Sequence, residues 1–104
     1  MVPTQTPTKV LTAPPALGLD TRADFRRAAV ALLDQLPDGE GQLIVDLAKT
    51  VAVDSAGLGA LMLIQRRAAE RRQTVVLKAA NDEIRFLLVL TKLDDLFLYD
   101  TAAA

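Results

Sequence analysis

A serine that follows an acid and precedes two glycines is the feature of this sequence best suited to chemistry. Asp54 and Ser55 come directly after the apolar run at 51–53, and Gly57 and Gly59 follow within four residues. Apolar residues then recur at helical spacing, so the pattern predicts Ser55 at the junction between a strand end and a helix start. In α/β sheets, ligands and reactive groups gather at such junctions, beyond the carboxyl ends of the strands.

Several familiar interpretations of this segment can be compared with its residues. A dinucleotide fingerprint needs a third glycine where the chain has Met62, and a P-loop needs Gly-Lys-Ser/Thr, which SAGLGAL lacks. A nucleophile elbow needs a glycine where Val53 stands, and a histidine, which the chain does not contain. An ordinary helix cap by the hydroxyl of Ser55, worth about 1 kcal/mol, is an alternative that requires no function.

Phosphorylation fits the same serine. A phosphoserine adds about −1.5 to −2 charges, and a helix N-terminus offers free N–H groups and a positive dipole end to hold them. A partner surface packed over Ser55 would not tolerate the change, because the new charge would be desolvated beside Asp54. The segment therefore predicts a switch of binding with little refolding.

The composition excludes several classes of site. The chain has 104 residues, 51% of them hydrophobic, and a net charge of −1, which is typical of one compact domain with an aliphatic core. It has no cysteine and no histidine, so thiolate catalysis, histidine-dependent triads and the commonest zinc ligands are missing. We expect no metal, no cofactor and no catalysis by the domain itself.

Charge and hydropathy also bear on partners and location. The chain lacks the basic excess that binding to nucleic acid through its phosphates requires. Its first 18 residues carry four prolines and no uninterrupted apolar stretch, which fits neither a secretion signal nor a membrane span. We therefore expect no nucleic-acid binding, no membrane insertion and a cytoplasmic location.

Helical and strand patterns alternate along the chain. The pattern predicts helices in LDTRADFRRAAVALLDQL, capped by Thr21 with Asp24, then from 55 to the arginines at 71–72, and over 82–90. It predicts strands at 9–12, in QLIVDLA, in TVVLKA and at 96–99. This order favours an α/β fold in which helices pack on a small mixed, partly parallel sheet of about four strands. We divide the chain into a proline-rich segment with an edge strand (1–16), one domain (17–100) and a flexible tail (101–104).

The segment VDSAGLGAL resembles the phosphorylatable signature of STAS domains, the family of bacterial anti-sigma factor antagonists. That signature typically reads Asp-Ser-(Ser/Thr)-Gly-Leu-Gly after a hydrophobic strand. The resemblance continues in LGLDTRADFRRAAVALL, LIVDLAKT and IRFLLVLTKLDDLF, and so covers about residues 17 to 99. It implies a single STAS-like domain, with an opening hairpin that the proline-rich start is expected to reduce.

The resemblance also implies a function. Ser55 would be the phosphoacceptor, and an anti-sigma factor with serine kinase activity would bind the unmodified domain and release its sigma factor. Phosphorylation would break that complex, and a serine phosphatase would restore it. The partner-binding residues implied are Asp20, Asp54, Ser55, Ala56, Gly57 and Leu58. Ala56 stands where the signature has a second hydroxyl residue, which leaves Ser55 as the sole acceptor of the loop. The alternative is a constitutive STAS subunit that docks an ATPase in a lipid-transport ABC complex.

Two further surfaces have open interpretations. The helix within 82–93 is apolar nearly all round, which fits either a buried element or a contact patch for a partner or a weak homo-oligomer. The arginines at 66, 67, 71 and 72 fit a solvated polar face better than a nucleic-acid site, because Glu70 interrupts them and aromatic residues are scarce.

Overall fold

A computed structural model describes residues 6–100 of the chain. Its helices are α1 (Arg22–Asp34), α2 (Ser55–Glu70), α3 (Asp82–Leu90) and a 3₁₀ turn (Asp94–Leu96). Its strands are β1 (Thr8–Thr12), β2 (Ala16–Leu17), β3 (Gln42–Asp46), β4 (Ala52–Val53), β5 (Thr74–Lys78) and β6 (Leu98–Asp100). The predicted tail at 101–104 lies outside the described residues.

Four strands form one sheet in the order β1-β3-β5-β6. The three pairings between them are all parallel, because a helix fills every connection and returns the chain to the same end of the sheet. The predicted α/β fold with about four strands is thus confirmed. The described sheet is parallel throughout, where the sequence had indicated a mixed one.

The other two strands form a small separate sheet. β2 pairs in parallel with β4, and the backbone N–H of Asp54 donates to the Leu17 carbonyl oxygen at 3.2 Å. β1 pairs with β3 and β2 with β4, so these two opening strands do not form a hairpin with each other. β2 (Ala16–Leu17) lies across the boundary that the sequence analysis placed after residue 16, and β1, which precedes that boundary, pairs with β3.

The core lies on the helical side of the sheet. Every second residue of the central strands points into it, and all three helices contribute to the same buried cluster, which includes Leu43, Val45, Val75, Leu77, Ala29, Leu33, Leu61, Ile64, Ile84 and Leu88. The opposite face carries one apolar row in register, formed by Val10, Ile44, Val76 and Leu98. One aliphatic core therefore fixes α1 and α2 side by side.

Polar contacts lock the end of α1 to the end of α2. Arg71 binds Asp34 at 2.8 Å and Asp38 at 2.7 Å, and Arg67 binds Asp34 at 3.1 Å. Buried Gln73 donates from its Nε2 to the carbonyl oxygens of Leu33 at 2.9 Å and Leu36 at 3.0 Å, at the end of α1. Two of the four arginines of the predicted polar face are thus engaged within the chain.

The start of α1 differs from its predicted cap. Thr21 occupies the N-cap position, but its side chain makes no capping hydrogen bond. Its hydroxyl donates to the Ala16 carbonyl oxygen at 2.7 Å and accepts from the Gly18 N–H at 3.0 Å. Asp24 binds Arg27 at 2.6 Å instead of completing a capping box. The threonine therefore shapes the turn between β2 and α1, and leaves the helix N-terminus open.

Candidate functional site

Ser55 is the first residue of α2 and is exposed. The N-cap is Asp54, whose Oδ1 accepts from the Gly57 N–H at 2.9 Å. Within residues 6–100, the hydroxyl of Ser55 has no hydrogen-bond partner, so the interpretation of this serine as an ordinary cap is wrong. The fold uses the acid for capping and leaves the hydroxyl free to react.

Asp54 joins two parts of the chain. Its Oδ2 accepts from the Leu19 N–H at 3.2 Å, so one carboxylate binds both the start of α2 and the turn that leads into α1. The N–H of Gly57, followed by the N–H groups of Leu19 and Ala56 and the charge of Arg22, lowers the pKa of Asp54 despite an opposing effect of desolvation. The carboxylate is therefore ionised at neutral pH and is a weak base.

Two glycines lie in this close packing, one against backbone and one against a side chain. A Cβ on Gly57 would overlap the Leu17 carbonyl oxygen and lie 2.8 Å from the Leu17 carbonyl carbon. A Cβ on Gly18 would overlap the carboxylate of Asp54. Gly59 is different, because a Cβ there would meet no heavy atom within 4 Å beyond its chain neighbours and the backbone of its own helix. The described chain gives no packing reason for a glycine at 59.

A cavity of about 300 Å³ opens beside Ser55, between the first turns of α1 and α2. Its walls are formed by Arg22, Ala23 and Arg26 of α1 and by Ser55, Ala56, Gly59, Ala60 and Leu63 of α2. Arg22 and Arg26 are exposed, and neither has an ion-pair partner among the residues that the structure describes. The sequence analysis did not identify either arginine as part of the site. The signal that could have found Arg22 is its position at the start of a helix, where the helix dipole disfavours a cation.

The residues that the sequence predicted for partner binding separate into two groups. Asp20, Asp54 and Ser55 are exposed, and Ala56 is half-buried in the wall of the cavity. Gly57 is buried against Leu17, and Leu58 is only 7% exposed within the core. Gly57 and the side chain of Leu58 thus pack beneath the loop that carries Ser55, and their burial leaves them inaccessible to a partner.

A second surface adjoins the strand that leads to Ser55. On α3, Ile84 and Leu88 are buried, whereas Phe86 and Leu90 are each 66% exposed and Val89 is 57% exposed. Val51, 68% exposed, lies with Phe86 and Leu90 around a shallow cavity of about 350 Å³. We call Val51, Phe86, Val89 and Leu90 the α3 apolar surface. One face of this helix therefore enters the core, and the other presents apolar side chains at the surface.

Two further observations concern membrane spans and metal-ligand groups. No helix within residues 6–100 has the length and hydropathy needed to cross a membrane. In the same range, no group of three or more histidine, cysteine, aspartate or glutamate side chains is arranged to hold a metal ion. The candidate site itself consists of the exposed Ser55 hydroxyl, the ionised Asp54 and the two arginines of the cavity.

Comparison with solved structures supports this fold. The chain is similar to a candidate anti-sigma factor antagonist from Thermotoga maritima (TM-score 0.73, 21% identity, 90% of this chain and 81% of that chain). It is similar to the anti-sigma factor antagonist SpoIIAA in its unphosphorylated form (0.70, 13%, 96% and 84%). A sulfate transporter family protein from Wolinella succinogenes also matches (0.68, 14%, 92% and 79%). At these identities the similarity establishes the fold alone.

Sequence comparison supplies the family. No curated protein sequence matches the chain at significant similarity. The family model described as "Mlab, STAS domain" matches residues 2–99, nearly the whole chain. That match confirms the resemblance first seen in VDSAGLGAL, and the chain belongs to the STAS domain family.

Proposed function

We propose that the protein is an anti-sigma factor antagonist whose binding to an anti-sigma factor serine kinase is switched by phosphorylation of Ser55. The observation that carries the proposal is the state of this hydroxyl, which is exposed at the first residue of α2 and unused by the fold. A side chain that is exposed and makes no hydrogen bond within the domain can be modified without unfolding it. The similarity to structures of anti-sigma factor antagonists supports the same assignment.

The reaction would take place in the kinase, with this domain as substrate. The Ser55 Oγ attacks the γ-phosphorus of ATP, the Oγ–P bond forms, and the bond from that phosphorus to the β,γ-bridging oxygen breaks to release ADP. The hydroxyl proton passes to a base of the kinase, because Asp54 has a lowered pKa and both its oxygens already accept N–H groups. A serine phosphatase would hydrolyse the phosphoester and regenerate the binding form.

The partner is proposed to cover the exposed part of the loop, formed by Asp20, Asp54, Ser55 and Ala56. A phosphate on Ser55 would place a second anionic group beside the ionised Asp54 within the interface. Like charges brought together and desolvated cost several kcal/mol, which is enough to dissociate a complex of ordinary affinity. The switch would act in the cytoplasm, where ATP-dependent kinases operate.

Binding measurements on charge variants test this proposal. Ser55→Asp should weaken binding to the cognate kinase by about tenfold to a hundredfold, while Ser55→Ala should bind like the unmodified parent even when ATP is present. Thr74→Asp is a matched control, because Thr74 is exposed at the opposite end of the sheet. Isothermal calorimetry with the purified partner gives the affinities.

The chain also simplifies detection of the modification. Ser55 is its only serine, so a phosphoserine found by mass spectrometry after incubation with kinase and ATP can belong to no other position. A Ser55→Asp variant that binds as tightly as the parent would contradict the proposed switch.

A constitutive STAS subunit that docks the ATPase of a lipid-transport ABC complex is the second candidate. The α3 apolar surface favours it, since permanent interfaces are more hydrophobic than transient ones. The description of the matching family model as a Mlab domain supports the same candidate. Stable co-purification with a transporter ATPase, together with no Ser55 phosphate under any kinase tested, would select this function over the first.

A further inference from the structure

We propose that the cavity between α1 and α2 receives the phosphate of Ser55 within the same molecule, with Arg22 and Arg26 as its ligands. This inference rests on the proposed phosphorylation of Ser55 and adds what holds the phosphoryl group after its transfer. The ligand class is a phosphate monoester dianion, attached to the chain at the mouth of the cavity. The first evidence is the placement of the two arginines.

Both arginines occupy positions in α1 that are unfavourable for a cation, for two different reasons. Arg22 is the first residue of α1, at the positive end of its dipole. Arg26 follows four residues later on the same side of the helix, where like charges repel. Arg27 binds Asp24, and Arg67 and Arg71 bind Asp34, but Arg22 and Arg26 have no ion pair among residues 6–100. These two cations oppose helix stability, form no ion pair within that range and line one cavity with Ser55, so they are available to bind an anion at the start of α2.

The cavity brings these cations to the serine. Arg22, Arg26 and Ser55 line the same space of about 300 Å³, which exceeds the share of one liquid water, about 30 Å³, roughly tenfold. A phosphoryl group and several waters therefore fit inside. The charge of Arg22 already contributes to the lowered pKa of Asp54, so its field reaches the start of α2. Guanidinium groups bind phosphate oxygens through paired N–H donors, a geometry that lysine does not offer.

The consequence is a switch that changes more than one charge. In the unmodified domain, both guanidinium groups are available to acidic groups of a partner. After phosphorylation they are neutralised by the phosphate, so the surface loses two cations at the same step in which it gains an anion. The phosphate is also partly shielded from a phosphatase, which lengthens the life of the modified state.

Phosphorus NMR tests the inference without any kinase or partner. The full chain is produced with phosphoserine incorporated at position 55 during translation, and the second pKa of the phosphate is titrated. In the parent this pKa should lie below the ordinary value of about 6. In Arg22→Gln/Arg26→Gln it should rise by about one pH unit, whereas Arg66→Gln/Arg72→Gln, which removes the same charge at the far end of α2, should match the parent.

The outcomes separate this inference from the proposed function. Equal phosphate pKa values in all three proteins would overturn the role of the arginines, even if Ser55→Asp still loses partner binding. Inorganic phosphate titrated into the unmodified chain provides a second arm. The unmodified chain could bind the free anion and lose that binding in Arg22→Gln/Arg26→Gln, while the same substitutions leave the phosphate pKa of the phosphorylated chain unchanged. That combination would show that the cavity binds a free ligand, and it would overturn capture of the Ser55 phosphate. Circular dichroism should show the double variant folded, because its substitutions relieve repulsion at an exposed helix start.

Discussion

The two glycines of VDSAGLGAL offer a pair of alanine substitutions whose effects on stability should have opposite signs. Both lie inside α2, so each substitution gains the same intrinsic helix propensity, about 0.8 to 1 kcal/mol. They differ in their surroundings, since Gly57 packs on β2 and Gly59 faces the cavity beside Ser55. The pair therefore separates the glycine that the fold needs from the one that it does not.

The magnitudes follow from the space around each residue. At position 57 the added methyl would overlap the Leu17 carbonyl oxygen and lie 3.1 Å from the Val53 Cγ1, and backbone cannot move aside as a flexible side chain can. Overpacking costs about 1 to 3 kcal/mol, and the upper end applies here, so Gly57→Ala should lose about 2 kcal/mol after the gain in propensity. The methyl group of Gly59→Ala would meet no such neighbour within 4 Å, and this variant should gain about 0.5 to 1 kcal/mol.

Urea unfolding followed by circular dichroism measures both free energies, and equal slopes against denaturant would show that the unfolded states are comparable. Thermal unfolding should give a midpoint about 8 to 16 °C below the parent for Gly57→Ala and about 2 to 8 °C above it for Gly59→Ala. The reasoning is refuted if Gly57→Ala is as stable as the parent, or if Gly59→Ala is the less stable of the two.

Two more predictions concern polar groups. The pKa of Asp54 is lowered from 3.8 in the folded state, so its contribution to stability is complete above that pH and is lost as the pH falls through the folded value. The difference in free energy of unfolding between the parent and Asp54→Ala should therefore be constant near neutral pH and shrink below about pH 4; a difference that grows in acid would contradict this. Gln73→Leu removes the donor to the carbonyl oxygens of Leu33 and Leu36, so the free energy of unfolding measured in urea should fall by about 1 to 3 kcal/mol. The control Gln35→Leu changes an exposed side chain and should leave that free energy almost unchanged.

The regular elements were largely predictable because their periodicity is local. The apolar spacing and the Asn-Asp start of α3 indicated a helix over 82–90, and the structure has Asp82–Leu90. The β-branched run before residue 47 similarly indicated β3. β2 and β4 were not predicted as a pair of separate strands, because two residues carry no period and their pairing depends on segments about 36 residues apart. Their contact is a property of the tertiary fold.

The site was predictable in place but not in detail. The sequence located Ser55 between strand and helix, yet aspartate and serine are equally good N-caps, and only the structure shows that Asp54 takes that position. The sequence pattern did not single out Arg22 or Arg26. Their significance comes from the packing of α1 against α2, which places them next to a serine about 30 residues away.

The short pairing of β2 with β4 has a consequence for motion. We call residues 50–55 the platform. It is tied to residues 14–19 by the two-residue β2–β4 ladder, by hydrogen bonds from Thr50 and Val51 to the carbonyl oxygens of Pro14 and Pro15, and by the bonds of Asp54. β3 and β5, by contrast, are central in a four-stranded sheet. Local opening of the platform should thus require less free energy than global unfolding, and the amide protons of Leu19 and Asp54 should exchange with deuterium faster than those of β3. An enzyme that draws this serine into its own cleft would need to melt only the platform, leaving the rest of the domain intact.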